Sequence, residues 1–340
     1  MMEMTPKVRL ERLLSGEGAD RPACICPGGM MNMITRDLQE ERDIYLPEAH
    51  SNARMMADLA KAICDMGCFE NLGVPFCMTV EAEAMGAGVT MGTRLFEPHV
   101  TEYVINDIQA YPQLSRLDPG KGRAKVVVDA IRILKEETRD LPIIGNLTGP
   151  VSTASSVMEP QIYYKQLRKK RDIAHQYMDF ITDQLITFGL AQAEAGADVI
   201  TIADPSGTGE ILGPKYFDEF AVTYLNKLID GLRPSGVKII VHICGQMHSV
   251  YEEVQKVRSD ALSFDAVVSI REARKKLPGR AIMGNVSTFA VEMSDRDDVE
   301  RLTEGCLNAG SDIISPACGL GMGSPLENVR AILRTVQKEG

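Results

Sequence analysis

The chain has 340 residues, of which 44% are hydrophobic and 25% are charged, and its net charge is −10. This length and composition are typical of a globular enzyme with a substantial core, and the negative charge argues against nucleic acid or an anionic membrane as the main partner. Because no apolar run approaches the roughly 20 residues that a membrane helix needs, we also expect no membrane-spanning segment.

The N-terminal segment MMEMTPKVRLERLL has no apolar core of the kind found in signal peptides, so we expect a cytoplasmic protein with reduced cysteines. Thr5 is a suitable N-cap, and Pro6 suits the first position of a helix. Leu10, Leu13 and Leu14 recur on one face of that helix. The chain is therefore predicted to begin with a surface helix, as an N-terminal extension before the first strand.

Short apolar, β-branched segments then alternate with long amphipathic ones along the chain. The predicted strands are 23–26, 72–76, 143–147, 199–203, 238–243, 261–264, 281–285 and 312–316. The predicted helices are 48–66, 121–137, 162–195, 214–232, 246–257, 270–276, 297–309 and 325–338. Eight strands and eight helices in alternation predict an α/β fold, a single (β/α)8 TIM barrel over residues 1–340. The irregular segment 79–120 is expected to be an insertion over the barrel mouth.

Three metal-ligating side chains are predicted to meet at that mouth, where active sites of such barrels lie. His242 and Cys244 are two apart at the end of the fifth strand, KIIVHICG, and so project to the same side. Cys318 follows the eighth strand in DIISPACGLGMG. One imidazole and two thiolates suit Zn²⁺, and three protein ligands leave one position for substrate. The alternative is a hydrogen-bonded core histidine with two buried cysteines. Cys24 and Cys26 form a competing pair, for which core packing is the better interpretation.

Four longer stretches carry a resemblance to a known family. They are RPACICPGG near the start, ENLGVPFCMTVEAEAMGA, AGADVITIADPSGTGEILGPKYFDEF and the ending CGLGMGSPLENVRAI. With the His-x-Cys and the distant Cys, they make the chain resemble the uroporphyrinogen decarboxylase superfamily over nearly its whole length. Within it, the chain is most similar to the zinc-dependent methylcobamide:coenzyme M methyltransferases.

The resemblance implies a (β/α)8 barrel in which His242, Cys244 and Cys318 bind Zn²⁺ as the catalytic site. It also implies transfer of a methyl group from methylcobalamin, or from a methylated corrinoid protein, to a small thiol such as coenzyme M. None of the five histidines lies in the Asp-x-His-x-x-Gly signature of corrinoid-carrying modules. We therefore expect the corrinoid on a partner protein that docks over the mouth. The basic run 168–171 could contribute to docking, but a solvated helix face is the plainer interpretation.

The fourth coordination position is expected to hold water or a carboxylate at rest. Asp265 follows the sixth strand and is the possible fourth ligand, with Asp204 and Glu81 as rivals. Asp204, Asn285 and Glu81 are also candidate substrate-binding residues. For each of these side chains, helix capping or a loop hydrogen bond is the alternative.

Other functions remain as alternatives. The same zinc and corrinoid chemistry could serve another thiol or tetrahydrofolate. Uroporphyrinogen decarboxylation is disfavoured, because the resembling decarboxylases bind substrate carboxylates through an arginine-bearing MRQAGR-like segment after the first strand. The corresponding segment here is PGGMMNM, with no arginine before Arg36. A non-catalytic corrinoid-protein partner or zinc-binding regulator is the remaining alternative.

Overall fold

Eight parallel strands form one curled sheet in the computed structural model, which describes residues 3–338. Counted in chain order with the two strands of a separate hairpin, the strands are β1 Ala23–Cys24, β2 Leu72–Val74, β3 Gly88–Thr90, β4 His99–Glu102, β5 Ile143–Thr148, β6 Val199–Ala203, β7 Lys238–Ile243, β8 Ala261–Phe264, β9 Ala281–Met283 and β10 Ile313–Ile314. Their order is β1-β10-β9-β8-β7-β6-β5-β2, which is the order of a (β/α)8 barrel. The predicted fold class is confirmed.

Burial explains why these segments are strands. Every residue of β5 and β6 is buried, and β7 is buried from Ile239 onward. Parallel strands covered on both faces require such nearly continuous apolar sequence, and β-branched residues pack well on a pleated surface. All eight predicted barrel strands are present, and those at the ends of the sheet are shorter than predicted.

A side chain completes the barrel between β1 and β2. The Asn71 amide accepts a hydrogen bond from the Cys26 backbone N–H at 2.8 Å and donates one to the Cys26 carbonyl at 2.9 Å. Backbone pairing contributes once, where the Glu70 N–H donates to the Cys24 carbonyl at 2.9 Å. The predicted strand 23–26 is therefore only two residues long as a strand, because Cys26 pairs with a side chain.

Helices surround the sheet, and the first of them is capped by Thr5 with Pro6 at its first position, as predicted. The α-helices are α1 Pro6–Leu14, α2 Arg36–Arg42, α3 Ala53–Asp65, α4 Val80–Ala84, α5 Gly122–Glu137, α6 Pro150–Val157, α7 Pro160–Lys169, α8 Arg171–Ala195, α9 Gly209–Tyr216, α10 Thr223–Leu232, α11 Tyr251–Val254, α12 Ile270–Lys276, α13 Thr288–Met293, α14 Arg296–Ala309 and α15 Leu326–Lys338. Short 3-10 turns cover Glu48–Ser51, Ile108–Gln113 and Arg233–Ser235, and a π turn covers Phe217–Val222.

Three predicted helices were wrong in extent. The segment 48–66 is a short 3-10 turn followed by α3, because the extended backbone of Asn52 separates them. The segment 162–195 is two helices, because the backbone of Lys170 leaves the helical region where its ammonium pairs with Asp107 at 2.7 Å. Most of 246–257 is not helical, since Gly245 adopts a φ of 77° and the Gln246 N–H donates to Glu210 at 3.2 Å. Only Tyr251–Val254 forms a helix there.

The insertion 79–120 is more regular than predicted. It contains α4, the antiparallel hairpin of β3 and β4, and the turn Ile108–Gln113. None of the helices described between residues 3 and 338 combines the length and the apolarity that a membrane crossing requires.

Candidate metal centre

The three predicted ligands lie together at the C-terminal end of the barrel. His242, Cys244 and Cys318 each offer one ligand atom, and these three atoms all lie within 4.8 Å of one another. His242 belongs to β7, and Cys244 follows that strand directly. Cys318 comes four residues after β10. The chain between them runs beside the segment that follows β9, where the Ala317 N–H donates a hydrogen bond to the Val286 carbonyl. This pairing beyond the ends of the two strands places Cys318 near His242 and Cys244.

A hydroxyl group orients His242. The imidazole is fully buried, and its Nδ1 lies 2.9 Å from the Ser263 Oγ, on the neighbouring strand β8. The Ser263 hydroxyl points to the Met31 sulfur at 4.0 Å, so its oxygen is available to accept from an N–H at Nδ1. This arrangement favours the neutral tautomer with Nε2 free, and Nε2 lies 3.2 Å from the Cys244 Sγ.

The two thiols are in hydrogen-bond contact with each other. A hydrogen bond from Cys244 lowers the pKa of Cys318. The hydrogen bond to Cys318, together with burial, raises the pKa of Cys244. One sulfur is thus stabilised as a thiolate, and a donor set of one imidazole nitrogen and two sulfurs fits Zn²⁺. Three protein donors are the number found in zinc sites that keep a position open for substrate.

Asp265 and Asn285 shape the loops around this cluster. The Asp265 carboxylate accepts backbone N–H groups from Gly245 and Val267, both at 3.2 Å, and Asp265 is not among the clustered ligand atoms. The Asn285 amide donates to the carbonyls of Asp265 at 2.7 Å and Val268 at 2.8 Å. Both side chains therefore make loop hydrogen bonds, which is the role that the sequence offered as the alternative to metal or substrate binding. Asp265 fixes the residue after Cys244.

Asp204 caps a helix. Its carboxylate accepts from the backbone N–H groups of Ser152 at 2.7 Å and Val151 at 3.1 Å, and from the Ser152 hydroxyl at 2.6 Å. These donors are at the start of α6, where an acceptor is favourable. A Cβ at Gly149 would lie 2.4 Å from the Asp204 Cβ, so only glycine fits beside it. Full burial raises the pKa of Asp204.

Glu81 of α4 is buried in a comparable way. Its carboxylate accepts from the Thr148 N–H at 2.8 Å and from the Thr148 hydroxyl at 3.1 Å. Burial raises the pKa of Glu81. These bonds attach the beginning of the insertion to the C-terminal end of β5. Substrate contact by Asp204, Glu81 or Asn285 stays a prediction.

Cys24 and Cys26 lie outside the cluster. Both are fully buried, and the Cys26 thiol donates to the Met31 carbonyl at 3.2 Å. Burial raises the pKa of both thiols, which disfavours the thiolate that a metal requires. They pack as core residues, in agreement with the interpretation of their sequence.

Ser263 and Glu97 were missed by the sequence reasoning. Ser263 is paired with His242 in the register of β7 and β8, and the signal was a lone hydroxyl within the apolar strand ALSF. Glu97, in the loop between β3 and β4, is half-buried, and its partial desolvation raises its pKa to about 7. No local pattern marks Glu97, because it becomes half-buried only once the hairpin lies on the barrel.

Comparison with known proteins identifies the family. The family model described as Uroporphyrinogen decarboxylase (URO-D) matches residues 5–339. A methylcobamide:CoM methyltransferase, MtbA, from Methanosarcina acetivorans is 30% identical over 98% of each chain. A uroporphyrinogen decarboxylase from Thermus thermophilus is 29% identical over 96% of each chain.

A solved structure agrees with these matches. A methyltransferase from Methanosarcina mazei superimposes with a TM-score of 0.92, at 30% identity and with 99% of each chain covered. The match of the family model over nearly the whole length, together with this likeness, assigns the chain. The chain belongs to the uroporphyrinogen decarboxylase (URO-D) family.

Proposed function

We propose that this protein is a zinc-dependent methyltransferase, which moves a methyl group from a methylated corrinoid to a small thiol such as coenzyme M. The observation that carries the proposal is the convergence of His242, Cys244 and Cys318 within 4.8 Å at the C-terminal end of the barrel. A relative that aligns over the whole length is named a methylcobamide:CoM methyltransferase, and this name supports the same donor and acceptor.

The residues that would hold the metal are His242, Cys244 and Cys318. Bound zinc would supply the Lewis acidity that keeps an acceptor thiol deprotonated at neutral pH, since free thiols have a pKa of about 8.5. Ser263 holds the imidazole in the tautomer that leaves Nε2 free. Asp265 fixes the backbone directly after Cys244. Asp265 is also the candidate for the fourth ligand, since each of its oxygens accepts one backbone N–H and keeps a second lone pair.

The reaction balances as a methyl-cation transfer. The bond between the methyl carbon and cobalt breaks, a carbon–sulfur bond forms, and the corrinoid keeps the electron pair while the thiol proton leaves to solvent. The protein's main task is to align sulfur, carbon and cobalt, because both reactants are intrinsically reactive.

The decarboxylase alternative has little support at the mouth. The segment PGGMMNM after β1 carries no cationic side chain. The next arginine, Arg36, lies on α2 with half its side chain exposed and pairs with Asp37 at 3.3 Å. A substrate with several carboxylates needs fixed cations in the site. The presence of a thiolate-rich cluster instead favours the methyltransferase.

The methyl donor is expected to arrive as methylcobalamin on a partner protein. The eight cysteines are all unpaired, which suits a reducing compartment, and we propose the cytoplasm.

A route to another thiol or to tetrahydrofolate uses the same ligands and differs only in the acceptor. A non-catalytic regulator would bind zinc without turnover.

An assay of methylcobalamin demethylation tests the function directly. The zinc-loaded protein is incubated with free methylcobalamin and, one at a time, coenzyme M, other small thiols and tetrahydrofolate. Loss of the methylcobalamin absorbance with formation of a methyl thioether is expected with coenzyme M or another small thiol. Methyltetrahydrofolate as the only methylated product would show that tetrahydrofolate, and not a thiol, is the methyl acceptor. No turnover with any acceptor, despite bound zinc, would support the regulator.

A further inference from the structure

Two carboxylates outside the ligand cluster contact the loops that carry its two cysteines. Glu210 belongs to α9, which follows β6, and β6 pairs with β7, the strand before Cys244. Glu292 belongs to α13, which follows β9, and β9 pairs with β10, the strand before Cys318. Each cysteine loop is thus contacted by one carboxylate from the helix that follows the adjacent strand.

The loop after Cys318 is rich in glycine, with the sequence CGLGMG. Such a backbone has many conformations available to it, and holding it in one of them costs more entropy than holding other residues. Two hydrogen bonds restrict it, from the Leu320 N–H to the Asn32 carbonyl at 2.8 Å and from the Gly323 N–H to the Glu292 carboxylate at 3.1 Å. The position of Cys318 therefore depends on contacts of the loop, and Glu292 supplies one of them.

The Glu292 carboxylate also accounts for two of these glycines. A Cβ at Gly321 would overlap the Glu292 Oε2, and a Cβ at Gly323 would lie 2.7 Å from the Glu292 Oε1. The three atoms nearest to the Cβ position of Gly321 all belong to Glu292, and the backbone of Gly321 lies outside the left-handed region. Gly321 therefore makes room for this carboxylate and does not serve a special backbone conformation.

The loop after Cys244 has the same arrangement at shorter range. Gly245 adopts a φ of 77°, which favours glycine, and a Cβ there would overlap the Glu210 Oε2. The same oxygen accepts the Gln246 N–H at 3.2 Å. Asp265, which follows the other neighbouring strand, β8, accepts the Gly245 N–H. The backbone after Cys244 is thus held from both sides.

We propose that Glu210 and Glu292 are positioning residues of the zinc site, which place the sulfur atoms of Cys244 and Cys318 for coordination. The inference rests on the proposed function and extends it from the ligands to the loops behind them. Neither carboxylate is among the clustered ligand atoms, so each acts through the backbone. Each accepts a hydrogen bond and fills the space beside a glycine, and a glutamine side chain can do both.

The zinc affinity of the full chain tests the two residues. Competition with a chromophoric chelator measures the Kd for zinc, which we expect to rise about 10- to 100-fold in Glu210→Ala and in Glu292→Ala, the usual effect of losing an outer-shell partner. Glu210→Gln and Glu292→Gln should stay within about threefold of the unchanged protein, because the amide oxygen still accepts the N–H. Glu304→Ala is the matched control, since Glu304 is an exposed glutamate of α14, and its Kd should be unchanged.

Gly321→Ala tests the Glu292 contact by a second route. The added methyl group would displace the carboxylate from the Gly323 N–H, so we expect Gly321→Ala to weaken zinc binding as Glu292→Ala does. In the Glu292→Ala background that space is empty. Gly321→Ala should then have no further effect, because the two substitutions remove one and the same interaction. An equal effect of Gly321→Ala with and without Glu292 would show that the carboxylate does not hold the loop.

Cobalt(II) in place of zinc reports on sulfur ligation directly. A thiolate bound to cobalt gives sulfur-to-metal charge-transfer absorption, so a displaced cysteine lowers this absorption per bound cobalt. We expect the reduction in Glu210→Ala and Glu292→Ala, and none in the glutamine variants or in Glu304→Ala. A general loss of stability would lower the melting temperature without lowering the absorption per bound metal.

The outcomes separate this inference from the proposed function. Alanine variants that keep the zinc Kd and the cobalt spectrum of the unchanged protein would overturn the inference, while methyl transfer by the unchanged protein would still support the function. Weakened zinc binding that glutamine restores would keep the inference even if no acceptor is methylated. Glutamine variants as weak as the alanine variants would show that charge, and not position, is what the carboxylates supply, and the inference would be wrong. An unchanged protein that binds neither metal would overturn both.

Discussion

His242 shows how one side chain depends on its neighbours for its chemistry. Its imidazole is fully buried between strands, and its protonation site is set by the Ser263 hydroxyl 2.9 Å away. Nε2 is thereby left to face the sulfur of Cys244. A ligand whose geometry is fixed before the metal arrives loses less conformational freedom on binding.

Each of the three proposed ligands should be needed for zinc. His242→Ala, Cys244→Ser and Cys318→Ser each remove one of three protein donors, so we expect substoichiometric zinc after purification and loss of thiol methylation. Metal content by mass spectrometry and the demethylation assay measure the two effects. Cys64→Ser is the control, because the half-buried Cys64 thiol donates to the Asn71 carbonyl away from the cluster. Full zinc occupancy in all three ligand variants would contradict the site.

Ser263 should act through His242 and not by touching substrate. Ser263→Ala removes the Nδ1 partner and is expected to weaken zinc affinity by about 10- to 100-fold, the usual effect of losing an outer-shell hydrogen bond. Competition with a chromophoric chelator measures this affinity. Thr201→Val is a matched control, because the buried Thr201 hydroxyl of β6 has no hydrogen-bond partner among residues 3–338. Equal affinities for the two variants would remove Ser263 from the site.

At the scale of elements, α1 is joined to the barrel by an ionic cluster. The fully buried Arg9 guanidinium donates to Asp20 at 2.8 and 2.9 Å and to Glu70 at 3.2 Å. The Glu70 carboxylate also accepts hydrogen bonds from the Arg21 guanidinium at 2.5 Å and from the backbone N–H of Cys24 at 3.2 Å. The cluster therefore connects α1, the segment before β1 and the segment before β2. Breaking one partner of a buried pair leaves the other charge uncompensated.

Asp20 should stabilise the fold at neutral pH and lose this effect in acid. Hydrogen bonds from Arg9 lower the folded-state pKa of Asp20 below its unfolded value of about 3.9, so the unfolded chain binds the proton first as the pH falls. We expect Asp20→Asn to lower the free energy of unfolding by about 2 kcal/mol at pH 7. The difference from the unchanged protein should shrink progressively below about pH 4.

Urea unfolding at pH 7 and at pH 3 measures this dependence. Glu11→Gln is the control, because Glu11 lies on the exposed face of the same helix. A difference between Asp20→Asn and the unchanged protein that is the same at both pH values would show that the charge of Asp20 does not matter.

At the scale of the whole molecule, the proposed zinc site lies at one end of a barrel that has an extensive apolar core of its own. The eight-stranded sheet is closed by Asn71 and covered by helices on its outside. A ligand that binds only the folded form stabilises it according to its affinity and concentration, and the proposed site takes one ligand from β7 and two from the segments after β7 and β10.

Removal of zinc should therefore lower the melting temperature without unfolding the protein. We expect the apoprotein to keep its far-UV circular dichroism, to unfold in a single cooperative transition, and to recover its melting temperature when zinc is restored. Differential scanning calorimetry with and without a chelator measures this. Two separated transitions would contradict the prediction of one domain over residues 1–340. An unfolded apoprotein would instead make the metal structural.

Local sequence predicted the elements well where the pattern was long and apolar. The strands 199–203, 238–243 and 261–264 match β6, β7 and β8 residue for residue, because central parallel strands are buried on both faces. The prediction was poorer at 246–257, where a hydrogen bond to Glu210 holds the backbone of Gln246 out of a helix. That bond joins residues 36 positions apart, so no local pattern contains it.

The sequence by itself determined the alternation that makes a barrel and the ligands at its strand ends, because periodicity and residue type are local properties. His242 and Cys244 project together from one strand by geometry alone. Only the tertiary structure decided that Cys318 meets them, that Asp204 caps α6 and Asp265 holds a loop, and that Glu97 is half-buried. These outcomes depend on which distant segments come into contact, and contact between distant segments is set by the packing of the whole barrel.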